Sequence, residues 1–190
     1  MKLWDRRTME SPAVRMFPEA GEGRRDCWSV SHSGNDTRIL AAGFDNGDVK
    51  LFDLRSMKLS WETSLSRGVS SISLQEREGS TWLVAGTSQG RLYQWNAKAP
   101  SATLTSQLDK STVWSTQMIS ENGILMNSLG SGAVSVCSCS EQRIEKICSQ
   151  QVSESPLACL ASSRDKAGLV AAASFTPSLH LLLYTGKTRV

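Results

Sequence analysis

The side chains best suited to chemistry in this sequence are its five cysteines and two histidines. Cys137 and Cys139 are separated by one residue, which places both thiols on the same face of a β-strand. A metal site is one use for such a pair, but zinc takes four ligands, usually from two paired units, and no second pair follows. An odd number of cysteines at irregular spacing instead predicts free thiols that pack as small apolar side chains in a reducing compartment. We therefore expect no metal site and no disulfide framework.

Neither the histidines nor a glycine-lysine pair near the end of the sequence indicates catalysis. His32 falls at the end of a predicted strand and His180 within one, and the sequence spacing suggests no serine or cysteine nucleophile for either. The tripeptide 186–188 ends like a phosphate-binding loop, but that loop needs another glycine five residues before Gly186, where Leu181 stands. We expect no cofactor and no enzymatic activity.

Composition and charge are those of an ordinary soluble protein. The chain has 190 residues, of which 39% are hydrophobic and 21% charged, and its net charge is +3. Nucleic-acid binders usually concentrate Lys and Arg on one face, whereas no basic run here is longer than the pair at 24–25. No apolar run approaches the roughly 20 residues of a membrane span, and no apolar signal sequence is evident. The sequence therefore predicts a cytoplasmic location, with neither nucleic acid nor membrane as a partner.

Four segments of the sequence align without gaps and predict the fold. Each has a short apolar strand that ends in a small residue, then a turn rich in Gly, Asn or Asp, and then a second apolar strand. The segments are 42–53, 85–96, 127–138 and 172–183. Asp45-Asn46-Gly47 is a strong hairpin signal, because such turns need the positive φ that Gly and Asn tolerate. Equivalent positions recur every 42 to 45 residues, which is the blade period of a WD-repeat β-propeller.

The repeat predicts an all-β fold, a WD-repeat β-propeller with an incomplete arc of about four blades, taken from a seven-bladed ring. We expect one partial propeller domain over 1–190, composed of the end of an upstream blade (1–17), three complete blades (26–66, 67–108 and 111–150) and a three-stranded last blade (155–185). The innermost strands are predicted at 26–30, 69–72, 112–116 and 157–160, and the outer strands at 60–65, 102–107 and 143–149.

Two interpretations of the ends remain open. Either the chain is a truncated product that lacks upstream blades, or residues 13–17 pair with the last unit and close a four-bladed ring. The markers of the repeat are degenerate, since only Trp4-Asp5 keeps the WD dipeptide and Gly-His occurs nowhere. The histidine-containing hydrogen-bond network that is usual within such blades therefore cannot form.

A partner-binding rim is the candidate functional site. Trp28 and Trp114 stand at the start of innermost strands, where they either fill the core or anchor a partner near the mouth of the central channel. Charged residues in the loops that enter these strands are either solvated or part of the same interface, since Arg and aromatic residues dominate interface energetics. The loop at 17–24 could extend this surface. The candidate residues are Arg24, Arg25, Asp26, Trp28, Arg67, Lys110 and Trp114.

Four stretches of the sequence match a known family. They are Arg25-Asp26-Cys27-Trp28, the run 42–55 (AGFDNGDVKLFDLR), Trp61-Glu62-Thr63 and Lys110-Ser111-Thr112-Val113-Trp114. Through these stretches, of which the run 42–55 and the Lys110–Trp114 pentapeptide are the most specific, the sequence resembles the Monad family, WD-repeat proteins known as axonemal dynein assembly factors. The resemblance covers nearly the whole chain and corresponds to the carboxy-terminal half of that family, although the region after Gly130 departs more.

The resemblance implies a cytoplasmic scaffold that works with a co-chaperone complex of RuvB-like ATPases and TPR and PIH-domain adaptors. With it, the scaffold would preassemble dynein heavy chains for motile cilia or flagella, and members of the family have also been linked to apoptosis. Three other interpretations stay open from the residues alone. The chain could be a generic WD-repeat adaptor in a chromatin or ubiquitin-ligase complex, a propeller enzyme, or a truncated fragment without function.

Overall fold

A computed structural model of the chain describes residues 2–4, 7, 14–15, 25–33, 38–77, 79–120 and 122–186. These residues form seventeen β-strands and no helix, so the all-β class predicted from the repeat is confirmed. Within the same ranges, no helix has the length and apolar character needed to cross a membrane.

The strands follow one another along the chain and pair with their sequence neighbours. They are β1 (Lys2–Leu3), β2 (Val14–Arg15), β3 (Cys27–His32), β4 (Ile39–Phe44), β5 (Asp48–Asp53), β6 (Lys58–Ser64), β7 (Val69–Arg77), β8 (Ser80–Thr87), β9 (Arg91–Asn96), β10 (Ala99–Gln107), β11 (Val113–Ser120), β12 (Ile124–Leu129), β13 (Ala133–Cys139), β14 (Ile144–Gln151), β15 (Leu157–Ser162), β16 (Leu169–Ser174) and β17 (Leu179–Leu183). Strands β3–β6, β7–β10 and β11–β14 form three four-stranded antiparallel sheets, and β15–β17 form a fourth sheet of three strands. We call these the first to fourth sheets.

Glycine is required at the turn between the second and third strands of the first three sheets. Gly47, Gly90 and Gly132 have φ of 98°, 74° and 82°, a conformation that L side chains rarely adopt. A Cβ atom at any of the three would also lie within 2.2 Å of a backbone oxygen of the next loop. Pro177 stands near the equivalent turn of the fourth sheet, which is closed instead by a hydrogen bond between the backbones of Ser174 and Ser178.

The structure extends two of the predicted first strands and pairs the segment at 14–15 differently from the ring-closing alternative left open above. The first strands of the second and third sheets run on to Arg77 and Ser120, because their hydrogen-bonded ladders with β8 and β12 continue. Strand β2 pairs with β1 in the register Lys2↔Arg15. In the described ranges, β2 does not join the fourth sheet, so the ring-closing pairing with the last unit is not formed there. Residues 13, 16 and 17 of the predicted pairing segment lie outside the described residues.

The apolar core consists of three clusters, each between two consecutive sheets. Between the first two sheets it contains Val49, Leu51, Val69 and Ile72, and the same arrangement recurs at the next two boundaries. This stacking explains the small residue at the end of each second strand. A Cβ at Gly43 would lie 2.5 Å from Val69 Cγ1, because the first strand of the next sheet packs directly against it. The second and third sheets therefore bury both faces, as expected for strands that are apolar on both sides.

Hydrogen bonds between side chains connect the second and third sheets. The Thr116 hydroxyl lies 3.3 Å from Ser71 Oγ and donates to Asn127 Oδ1 at 3.0 Å. The Asn127 amide in turn donates to the Ser135 carbonyl oxygen and to Cys137 Sγ. All of these side chains are buried. Serine, threonine and asparagine thus supply a buried polar network without histidine.

The cysteines divide into a buried pair and three exposed residues. Cys137 and Cys139 lie on one face of β13 and are buried as predicted, whereas Cys27, Cys148 and Cys159 are exposed. The prediction that all five pack as buried apolar side chains is therefore wrong. Cys27 and Cys159 stand on the outward faces of the first and fourth sheets, which none of the other described sheets covers. Burial raises the pKa of Cys137 to about 11 and that of Cys139 to about 12, so both thiols stay protonated at neutral pH.

Candidate protein-binding rim

One backbone hydrogen bond closes the same end of each of the first to fourth sheets. The residue after the second strand donates its N–H to the carbonyl of the segment that leads into the first strand. The four bonds are Asp45 N to Asp26 O, Ser88 N to Gly68 O, Gly130 N to Thr112 O and Phe175 N to Pro156 O, at 2.8 to 3.0 Å. The lead-in segments and the hairpin turns therefore lie together at one end of the sheets. We call this end the rim.

A β-bulge at the start of each first strand determines which side chains reach the rim. The register shifts by one residue at Trp28, Ser70, Trp114 and Ala158, so the same position is unpaired in all four sheets. A bulge bends its strand and redirects the side chain of the extra residue. The two candidate tryptophans are thus equivalent residues in the first and third sheets, and the bulge explains why neither enters the core.

Trp28 lies at the boundary between the first and second sheets. Its side chain is 53% exposed, so the core-filling interpretation is wrong for this residue. The edge of the indole lies beside the lead-in segment of the next sheet, since a Cβ at Gly68 would be 3.1 Å from Trp28 Cζ3. Arg67, which precedes that glycine, is exposed. The structure therefore brings a candidate tryptophan and a candidate arginine to the same boundary.

Trp114 lies at the boundary between the third and fourth sheets, and its side chain is 40% exposed, which also excludes core filling. Its ring meets that of Phe175 edge to face, with the centroids 5.6 Å apart. Phe175 belongs to the hairpin turn of the fourth sheet and is 62% exposed. Phe175 is a rim residue that was not predicted from the sequence. Its position directly after the small residues of the last repeat could have suggested a rim aromatic.

The remaining candidate residues that the structure describes are charged and exposed. Arg25 and Asp26 precede Trp28 at the rim of the first sheet, and Lys110 precedes the first strand of the third sheet. The Asp26 N–H donates to Asp45 Oδ1 at 3.2 Å, which ties this lead-in segment to its hairpin turn. Arg24 lies outside the described residues. Six of the seven predicted residues therefore stand at the rim or at its bulges.

Asp109 is a rim residue that sequence reasoning missed. Its Oδ2 accepts hydrogen bonds from Ser131 Oγ at 2.5 Å and Ser111 Oγ at 2.9 Å, and its Oδ1 accepts the backbone N–H of Lys110. The Ser131 bond is the main reason that the pKa of Asp109 is lowered. The carboxylate fixes the lead-in segment of the third sheet to its hairpin turn and so holds the neighbourhood of Trp114 in place.

One histidine does have a serine neighbour, which the sequence spacing had not suggested. Ser178 Oγ lies 3.1 Å from His180 Nε2, and Ser174 Oγ lies 2.7 Å from Ser178 Oγ. These exposed groups hold the last hairpin turn together. Among the described residues, no group of three or more His, Cys, Asp or Glu side chains is arranged to hold a metal ion.

Several proteins that are similar to this chain in sequence have the same name, dynein axonemal assembly factor 10. The chain is 32% identical over 212 residues to dynein axonemal assembly factor 10 of Xenopus tropicalis, a match covering 97% of this chain and 59% of the relative. It is 30% identical over 217 residues to the human protein of that name, and 29% over 218 residues to that of Chlamydomonas reinhardtii. Homologues of this chain are dynein axonemal assembly factors. The chain spans about 60% of the length of these relatives, and no family model matches it.

A solved structure shares the fold. The crystal structure of the computationally designed Ika4 protein matches with a TM-score of 0.69, covering 88% of this chain and 99% of the designed one. The sequence identity is 15%, so this likeness concerns the path of the backbone alone.

Proposed function

We propose that this chain is a non-enzymatic scaffold of the WD-repeat β-propeller type, which binds proteins through its rim during the assembly of axonemal dynein. The observation that carries the proposal is the exposure of two equivalent bulge tryptophans, Trp28 and Trp114, on the same rim. The proposed function requires no reactive group, because it depends on exposed side chains that a bound partner would cover.

The stacking of the sheets supports the propeller. The first strands of successive sheets contact one another in chain order: β3 contacts β7, β7 contacts β11, and β11 contacts β15. Side chains of these strands also bond across the boundaries, since Ser31 Oγ accepts from Leu74 N and Ser70 Oγ donates to the Val113 carbonyl. Strands that meet their equivalents in this way are expected around a common axis, with each sheet extending outward as a blade.

The composition of the rim supports protein binding. Large aromatic side chains and arginines are enriched among the residues that contribute most to binding energy at interfaces. Trp28 with Arg67 and Trp114 with Phe175 give two such groups, one at each of two sheet boundaries. A partner that covers both tryptophans would remove a large apolar area from water, at about 25 cal/mol per Å².

The names of the relatives support a role for this scaffold in the assembly of axonemal dynein. They are named dynein axonemal assembly factor 10 in vertebrates and in a green alga. We infer protein partners from that role: a co-chaperone complex with RuvB-like ATPases and TPR adaptors, and the dynein heavy chains themselves. The inferred location is the cytoplasm, where axonemal dyneins would be assembled before they enter the cilium or flagellum.

An affinity capture tests the proposal directly. The full chain, tagged and expressed in a flagellated cell, should recover dynein heavy chains and co-chaperone subunits that mass spectrometry identifies. The double variant Trp28→Ala, Trp114→Ala should recover much less of both, while Met57→Ala, which alters an exposed side chain in the turn between β5 and β6, should recover normal amounts. Equal recovery by all three proteins would contradict the role of the rim.

Deletion of the gene separates this function from that of a general WD-repeat adaptor. Loss of a dynein assembly factor should leave axonemes without dynein arms and cells that do not swim. Cells that beat normally after deletion would favour an adaptor in a chromatin or ubiquitin-ligase complex instead.

A further inference from the structure

Three prolines of the sequence directly follow a serine or threonine, and one of these pairs stands at the tip of the rim. Proline-directed protein kinases select a hydroxyl residue by the proline after it, whose φ is fixed and which has no backbone N–H. The pairs are Ser11-Pro12, Ser155-Pro156 and Thr176-Pro177. The first lies outside the described residues. The other two lie together at one end of the fourth sheet, since Phe175 N donates to Pro156 O at 2.9 Å.

Thr176 is the accessible hydroxyl residue of these two pairs. It is exposed, whereas Ser155 is half-buried and packs against the hairpin turn of the third sheet. A Cβ at Gly132 in that turn would lie 2.7 Å from the Ser155 carbonyl oxygen. The exposure of Thr176 comes from its place in the turn, because the equivalent residues Gln89 and Ser131 are also exposed. Those two belong to sheets that bury both faces, so this exposure does not depend on what lies beside the fourth sheet.

The hairpin turn at 174–178 has a backbone that a kinase can bind in extended form. Glycines at positive φ close this turn in the first three sheets, whereas Pro177 stands at that position in the fourth. Within the described ranges, Met57 is the only residue other than glycine with positive φ, so Thr176 has an ordinary backbone conformation. Segments held by solvent-exposed hydrogen bonds open locally at low cost, and the side-chain bonds of this turn are exposed.

Hydrogen-bonding groups suited to a phosphate already surround the Thr176 hydroxyl. Ser174 Oγ lies 2.9 Å from Thr176 Oγ1 and 2.7 Å from Ser178 Oγ. Ser178 Oγ in turn lies 3.1 Å from His180 Nε2. Among the described residues, no hydrogen bond joins this cluster to an acidic side chain. The equivalent turn residue of the third sheet instead donates to the carboxylate of Asp109, which would repel a phosphate.

We propose that Thr176 is a phosphorylation site for a proline-directed protein kinase. Thr176 Oγ1 attacks the γ-phosphorus of MgATP, the bond from that phosphorus to the bridging oxygen breaks, ADP leaves, and the catalytic base of the kinase takes the hydroxyl proton. The product has a charge of about −1.5 to −2 at pH 7 and three acceptor oxygens. The side chains of Ser174, Ser178 and His180 then hold the phosphate through charge-assisted hydrogen bonds.

The phosphate stands beside the aromatic pair of the rim. Phe175 directly precedes Thr176, and its ring meets that of Trp114 at a centroid distance of 5.6 Å. Phosphorylation therefore adds negative charge next to the exposed rings. The modification rests on the turn and its hydroxyl groups, and it holds whether or not the rim binds dynein or co-chaperones.

Phosphorylation of the full chain by a mitogen-activated protein kinase with MgATP tests the site. We expect mass spectrometry to find a phosphate on Thr176. Pro177→Ala, which keeps the hydroxyl but removes the residue that the kinase selects, should lose this phosphate. Ser155→Ala is the matched control and should keep it, and a cooperative melting transition confirms that each chain is folded. A folded chain without phosphate on Thr176, or equal modification of the Pro177→Ala chain, would overturn the proposal.

Phosphorus NMR of the modified chain tests how the phosphate is held. Hydrogen bonds to the dianion stabilise it, so the second pKa of the phosphate should lie below about 6, the value of an exposed group. His180 is the only titratable side chain of the described ranges with a hydrogen bond into this cluster. The double variant Ser174→Ala, Ser178→Ala, phosphorylated in the same way, should return the pKa to about 6. The same pKa in both phosphorylated chains would show that these side chains do not hold the phosphate.

Discussion

The Trp114 and Phe175 rings meet edge to face across the boundary between the third and fourth sheets, at a centroid distance of 5.6 Å and an interplanar angle of 73°. This contact joins a bulge residue of one sheet to the hairpin turn of the next. It therefore holds two neighbouring parts of the rim in a fixed relation and presents them as one aromatic surface.

A double-mutant cycle should measure that contact. We expect Trp114→Ala and Phe175→Ala each to lower the free energy of unfolding, and the double variant to lower it by less than the sum. The coupling should be about 0.5–1.5 kcal/mol, the range for aromatic pairs, and urea denaturation of the four proteins gives it. Strictly additive effects would mean that the two rings do not stabilise each other.

Two equivalent positions in neighbouring sheets should respond in opposite directions to a substitution by alanine. A Cβ at Gly86 would lie 2.4 Å from Ser71 Oγ and 2.7 Å from Val113 Cγ1, so Gly86→Ala should lower the free energy of unfolding by about 1–3 kcal/mol. Ser128 occupies the same place in the third sheet, and its buried hydroxyl has no hydrogen-bond partner within the described ranges. Ser128→Ala should therefore be neutral or slightly stabilising. Thermal denaturation of both variants provides the comparison, and a stable Gly86→Ala protein would contradict the packing described.

The buried network around Asn127 should contribute measurably to stability. Asn127→Ala removes the acceptor of the Thr116 hydroxyl and the donor to the Ser135 carbonyl. It should lower the free energy of unfolding by about 1–3 kcal/mol, because buried polar groups lose their partners. Asn122→Ala, at an exposed asparagine in the turn after β11, is the matched control and should change stability little. Similar unfolding curves for the two variants would argue against the network.

Thiol labelling should divide the cysteines into two classes. A thiol reagent added to the folded protein should react quickly with the exposed Cys27, Cys148 and Cys159 and slowly with the buried Cys137 and Cys139. All five should react once the protein is unfolded in denaturant. Mass spectrometry after brief labelling identifies the modified residues, and rapid reaction at either buried site would show that the boundary between the second and third sheets opens readily.

The same buried thiols should make stability fall at high pH. An unperturbed cysteine has a pKa near 9.0, whereas the folded values are about 11 for Cys137 and about 12 for Cys139. Above pH 9 the unfolded chain loses these protons while the folded chain retains them, so stability present at lower pH is lost as pH rises toward the folded values. Denaturation at pH 8 and pH 10.5 should show this loss, and it should be smaller in the double variant Cys137→Ala, Cys139→Ala.

The parts of the fold that the sequence predicted are those with a local geometric cause. Gly47 and its equivalents are needed at turns of positive φ, and small residues such as Gly43 are needed where the next sheet approaches closely. Both requirements leave a periodic pattern that can be read along the chain. The strand ends were less well predicted, because ladders such as that of β7 with β8 continue as far as pairing partners are available.

The sequence predicted the positions of some residues of the candidate site, and the errors for the two tryptophans have one physical cause. The charged residues Arg25, Arg67 and Lys110 precede strands, so their place at one end of the sheets followed from strand order. The orientation of Trp28 and Trp114 did not follow from strand order, because it depends on a bulge. A bulge is a property of two paired strands and leaves no mark in either sequence alone. The exposure of Cys159 has a different cause, since no described sheet covers that face of the fourth sheet, and its strand pattern otherwise matches the buried ones.

The recurrence of the bulge at one position in every sheet has a consequence for how recognition can change. Residues 28, 70, 114 and 158 are Trp, Ser, Trp and Ala, so three different residue types occupy one backbone geometry in the four sheets. A new side chain at position 158, for example, need not displace any residue of the clusters between the sheets. Partner preference could therefore diverge among duplicated genes, or be redesigned, one unit at a time while the scaffold keeps its stability.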